Sequence, residues 1–136
     1  MYRTPVVPQG VTPPLGAYSP AISLDVGDTR LVFVSGQIPL DPNGVLVSDD
    51  IEDQTRFVFD QIAAVLAAAG GTLDDLVKVQ IYLTDIGEYP AVSAIRNEYL
   101  AASRPVSTLI EAPTLVHPGC RIEIDAVAAV AADVSA

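Results

Sequence analysis

Residues 31–42, LVFVSGQIPLDP, constrain this chain more than any other stretch. Leu31, Val32, Phe33 and Val34 run without a polar break, so they read as a strand buried on both faces. The run stops at Ser35, Gly36 and Gln37 and then turns through two prolines into an acidic loop. A glycine at that place lets another group approach the backbone closely, with hydrogen-bonding side chains on either side. A bulge at a strand end is the simplest form for such a segment.

The remaining pattern alternates strands and helices. Pro5, Pro8, Pro13 and Pro14 make residues 1–15 an irregular N-terminal arm of a single domain spanning 1–136. A hairpin follows, with strands at 22–24 and 31–34 and Gly27-Asp28 at its turn. A helix is expected over 50–69: Ser48, Asp49 and Asp50 are candidate N-caps, and Ile51, Val58, Ile62, Val65 and Ala69 form the apolar stripe. Gly70-Gly71 ends it as a left-handed cap would. A strand at 76–83 precedes a second helix, which Pro90 opens and which runs to about Ala102. Strands at 106–111 and 121–129 close the chain. The order β-β-α-β-α-β-β predicts an α+β fold, a mixed sheet with both helices on one face. Strands apolar on both sides need a cover for the other face, and self-association would supply it.

Bulk properties narrow the function. Half of the 136 residues are apolar and 18% are charged, which suits one packed domain. No apolar stretch approaches the roughly 20 residues of a membrane span, and the start lacks the long apolar core of a signal peptide. One cysteine, Cys120, excludes an internal disulfide and fits a reducing cytoplasm. One histidine and one cysteine make no metal cluster, and neither metal nor cofactor is expected. One lysine and six arginines against a net charge of −10 oppose nucleic-acid binding.

Six segments, in order, carry a resemblance. They are GAYSPA at 16–21, VSGQIPLDPNGVLV at 34–47, QTR at 54–56, AAAGGTLDDLVKVQIYLTDIGEYPAV at 67–92, RPVSTLIEA at 104–112 and RIEIDAVA at 121–128. Together they resemble the RidA/YjgF family, the reactive-intermediate deaminases also called L-PSP endoribonucleases. The resemblance implies a YjgF/chorismate-mutase-like fold and a homotrimer with an inner β-barrel. It also implies clefts between subunits that add water to a small carboxylate-bearing imine or enamine. An arginine on the penultimate strand would clamp the carboxylate, and a glutamate on the last strand would position water.

Carried over residue by residue, the resemblance puts Tyr18 at the family tyrosine and Ser35 and Gly36 in the S-G-Q element. Glu123 falls at the last-strand glutamate. The family pattern P-x-R-[ST] meets Pro105-Val106-Ser107-Thr108, so Ser107 takes the arginine's place. Leu109 stands where Cys or Thr is common, and Ser93 where Asn is. Charge-assisted hydrogen bonds contribute about 1.5–3 kcal/mol each, so losing the clamp would cost on the order of 10²-fold or more. Arg121 shares a strand face with Glu123 by its spacing and is the first candidate to replace the missing cation, ahead of Arg104 and Arg3. A salt bridge to Glu123 or Asp125 is the plainer expectation for Arg121.

Among other residues, Glu123 lies between Ile122 and Ile124, costly for a charge unless paired or functional. Glu111 reads as a rim or surface carboxylate, His117 as a turn residue and Cys120 as a packing thiol. The leading expectation is a RidA-like hydrolase with altered specificity, acting on small reactive imines or enamines. The alternative is a non-catalytic trimer that binds a small metabolite. A ribonuclease or chaperone-like role ranks last.

Overall fold

In a computed structural model, which describes residues 2–132, six strands form one mixed sheet with two α-helices packed on a single face. The strands are β1 (Tyr2–Val6), β2 (Ala21–Val26), β3 (Thr29–Gln37), β4 (Leu76–Leu83), β5 (Val106–Glu111) and β6 (Ile122–Ala131). The helices are α1 (Ile51–Ala68) and α2 (Tyr89–Tyr99). The sheet order is β1-β2-β3-β6-β4-β5, with β4 and β5 parallel and every other pair antiparallel.

The expected elements form within a few residues of their predicted bounds. Asp50 caps α1, its carboxylate accepting from the Glu52 N–H. Gly70 at φ 86 terminates it. Val58, Ile62, Val65 and Phe59 point from α1 onto Val32, Val79, Ile81, Ile122 and Ile124 of the sheet, all fully buried. That contiguous apolar layer is the core.

Two expectations are corrected. The proline-rich start is not wholly irregular: Tyr2–Val6 adds an antiparallel strand to β2, and Pro5 fits there because β1 is an edge strand. The 31–34 run is also not buried on both faces within one chain. Val32 and Val34 lie in the core, but Phe33 is 45% exposed and points to the face opposite the helices. Continuous apolarity marks what a strand is able to bury, and the helices here reach only one side.

Gln54, from the QTR element, ties α1 to the start of β6. It is fully buried; its Nε2 donates to the Ser48 and Gly119 carbonyls, and its Oε1 accepts from the Arg121 N–H. Gln54→Leu strands those three backbone groups, and each unsatisfied buried group costs about 1–3 kcal/mol. The expected loss is at least about 2 kcal/mol, read as a lower Tm at fixed protein concentration.

Candidate functional site

The register of β3 on β6 slips by one residue between Val34 and Gln37, so Ser35-Gly36 forms the anticipated bulge. The bulge is pinned from three sides. The Ser35 N–H donates to the Pro20 carbonyl and its Oγ to the Ser19 carbonyl at 2.6 Å. Gln37 donates to the Ser35 carbonyl, and Gln61 of α1 donates to Gln37. These bonds hold the 16–20 loop, and with it Tyr18, against the bulge. The Tyr18 hydroxyl accepts from the Leu15 N–H at 3.1 Å.

Glu123 lies against Gly36. A Cβ at position 36 would come within 2.5 Å of Glu123 Oε2, so a larger residue there would displace this carboxylate from its place. Tyr18, Ser35, Gly36 and Glu123 meet in one pocket of about 460 Å³, with Pro14 and Gln61 among its other walls. Burial raises the Glu123 carboxyl above its ordinary value, and the negative charge of Asp125, two residues along the same strand face, adds to the rise. Asp125 in turn accepts from the Tyr82 hydroxyl at 3.2 Å. The result is a half-buried carboxylate with strengthened basicity, facing a tyrosine and a serine. That arrangement suits a group that takes a proton from water.

The other expected residues stand elsewhere. Register and burial put Ser107 and Leu109 on the helix side of edge strand β5, while Glu123 faces the opposite side of the sheet beside Tyr82. Leu109 is half-buried against the core. Ser107 opens onto a second pocket, of about 590 Å³, together with Arg96, Asn97 and Arg104. Ser93 accepts a hydrogen bond from the Arg96 guanidinium at 2.9 Å.

Arg121 does not reach Glu123. Its guanidinium pairs with Glu88 at 2.5 Å and donates to the Asp49 carbonyl, because Arg121 precedes the first residue of β6 and turns toward the α1 and α2 entrances. Its counterion is therefore Glu88, not Glu123 or Asp125. Arg3 lies beside Tyr18, Ser35 and Phe33 in a third concavity on the open sheet face. Glu111 accepts from the Ile86 N–H, a rim position apart from Glu123. Burial, with the nearby Glu123 charge second, pushes the Cys120 thiol up to about 11, so it stays protonated at neutral pH. Nothing in the sequence singles out Arg96; its three-residue spacing from Ser93 along one helix is the signal that links them.

The raised Glu123 carboxyl has a consequence for stability. The folded state holds its proton to higher pH than the unfolded chain does, so this group's contribution declines as pH rises from about 4.5 through the folded value. Glu123→Gln removes that decline. The variant is expected to gain Tm over wild type at pH 7 and to gain less at pH 4; an equal or reversed difference would contradict the assignment.

Residues 10–130 match the family model described as endoribonuclease L-PSP. A RutC family protein of Pyrococcus horikoshii is 40% identical over 116 residues, 85% of this chain and 88% of that protein. The 3-aminoacrylate deaminase RutC of Acinetobacter baylyi is 39% identical over 124 residues, 90% of this chain and 94% of its own length. The crystal structure of the Rid family protein YyfA of Yersinia pestis superposes with a TM-score of 0.85 at 34% identity, covering 95% of this chain and all (100%) of that one. With its sheet order, its two helices and its sequence in agreement, the chain belongs to the endoribonuclease L-PSP, or Rid, family.

Proposed function

We propose that this protein is a Rid-type deaminase that hydrolyses small imines or enamines in clefts between the subunits of a homotrimer. The observation that carries the reading is Glu123, a half-buried carboxylate of raised basicity held against Gly36 in a pocket with Tyr18 and Ser35. The similarity to a 3-aminoacrylate deaminase supports the reaction class.

In an imine substrate, water adds to the carbon of the C=N bond while Glu123 takes a proton from that water. The π electrons move to nitrogen, which is protonated. The carbinolamine then collapses, its C–O becoming C=O as ammonia leaves. An enamine reaches the same imine after protonation at carbon. No metal or redox partner is needed for this balance.

The uncovered sheet face supports assembly. Phe33, Val106 and Ile110 are exposed on it, and Leu31 and Val127 are only half-buried. In the proposed trimer the Ser107 pocket of one subunit and the Glu123 pocket of its neighbour would share a cleft, since the two lie on opposite faces within one chain. With Ser107 at the expected arginine position, the specificity is altered from that of the family's arginine-bearing members. The same substitution favours the second reading, a trimer that binds a metabolite without turnover. A ribonuclease role fits least well with a net charge of −10.

The decisive assay is release of keto acid and ammonia from freshly generated 2-iminobutanoate, measured against the spontaneous rate. Wild type is expected to exceed that rate, Glu123→Gln to lose at least about 10²-fold, and Ser107→Arg to gain on this substrate. Silence of wild type and Ser107→Arg together would move the binding trimer to the front. Light scattering on wild type and Phe33→Glu tests the assembly: a trimer that the substitution dissociates is expected, and a wild-type monomer would remove the intersubunit cleft.

A further inference from the structure

The chain has few cations, and their partners differ in a telling way. Arg30 pairs with Asp25, Arg56 with Glu98 and Arg121 with Glu88. Arg3, Lys78, Arg96 and Arg104 have no carboxylate within ion-pair distance among the described residues, and of these four Arg96 and Arg104 line the Ser107 pocket. Among the described residues Arg96 touches neutral groups, the Ser93 hydroxyl, the Asn97 amide oxygen and the Tyr89 ring, 5.8 Å from the guanidinium carbon. The walls of this pocket include no acidic side chain. Two uncompensated guanidiniums beside a hydroxyl and an amide, in a protein of net charge −10, make a local anion site.

Backbone geometry points the same way. Arg104 sits at φ 46, the left-handed region, and is the one non-glycine residue there among those described. Its N–H donates to the Leu100 carbonyl at 2.9 Å, closing the turn that follows the C-cap of α2 and leads into β5. Residues in this region cluster at ligand clamps and active sites. Glycine would suit this backbone better, yet the residue here is an arginine that lines the same pocket as Ser107.

We propose that Arg96 and Arg104 together hold the substrate carboxylate, taking over the charge that Ser107 lacks. The inference rests on the deaminase reading for its substrate class, a small 2-imino or enamino acid. In the assembly, Arg96 and Arg104 of one subunit bind the carboxylate, Ser107 and Asn97 add neutral hydrogen bonds, and Glu123 of the neighbour works on the C=N carbon. Planar guanidiniums match a carboxylate's two oxygens, and covering by the neighbouring subunit would strengthen pairs that open solvent weakens.

The test is calorimetric titration of the assembled protein with 2-oxobutanoate, the stable keto acid, and with butanone, which keeps the carbonyl and lacks the carboxylate. Wild type is expected to bind the keto acid and not butanone. Arg96→Gln and Arg104→Gly should each weaken binding by about tenfold or more, and Arg56→Gln should leave it unchanged. Arg104→Gly relieves the strained φ, so a variant with unchanged or higher Tm and lost binding excludes a merely structural role. Wild-type affinity in both variants overturns the inference, as does binding of inorganic phosphate as tight as that of the keto acid. Ammonia release separates this inference from the reading beneath it. An active wild type whose KM is unmoved in both variants sinks the arginine pair and leaves the deaminase. A silent wild type whose keto-acid binding the variants abolish keeps the pair and sinks the deaminase.

Discussion

The chain supplies helices for only one face of its sheet, and the other carries exposed apolar side chains among polar ones such as Glu123 and Asp125. On the helix side, Val32, Val79, Ile81, Ile122 and Ile124 are fully buried under α1 and α2. On the other, Phe33, Val106 and Ile110 stand in solvent in an isolated subunit. Burying an aromatic or branched side chain contributes about 1.5–3 kcal/mol, so an open face of this kind is a strong drive to self-association. Everything proposed for function depends on that drive, because the two halves of the candidate site lie on opposite sides of one chain's sheet.

The first half is built by a defect in strand pairing. One extra residue at Ser35-Gly36 breaks the β3–β6 ladder, and the absent side chain of Gly36 makes the space in which the Glu123 carboxylate lies. The bonds from Ser35 to Ser19 and Pro20 then fix the loop that carries Tyr18. A bulge is a local feature, yet here it determines where a carboxylate on another strand is able to sit, and the burial that follows makes that carboxylate more basic. Stability and chemistry oppose each other at this point: the charge that suits proton transfer is the one the fold holds at a cost.

The second half belongs to the α2–β5 corner. There the strained Arg104 and the neutrally contacted Arg96 gather positive charge in a strongly acidic protein. Arg121, placed by strand alternation on the same face as Glu123, is taken by Glu88 instead. Alternation applies only within a regular strand, and Arg121 lies just before β6 begins. Glu123 thus lies against Gly36 on one side of the sheet, while Arg96 and Arg104 line a pocket on the other.

The order of the helices and of the strands from Ala21 on, the mixed sheet with both helices on one face and the S-G-Q bulge were legible in the chain itself, because hydrophobic period, caps and glycine positions act over a few residues. Tertiary structure alone decided what depends on distant groups meeting: that Tyr2–Val6 pairs as a strand, that Phe33 faces outward, that Gln54 ties α1 to β6, and that Arg121 goes to Glu88 while Arg96 and Arg104 converge. A side chain's spacing names the face it leaves from, but its partner is set by whichever opposite charge the packed elements bring within reach.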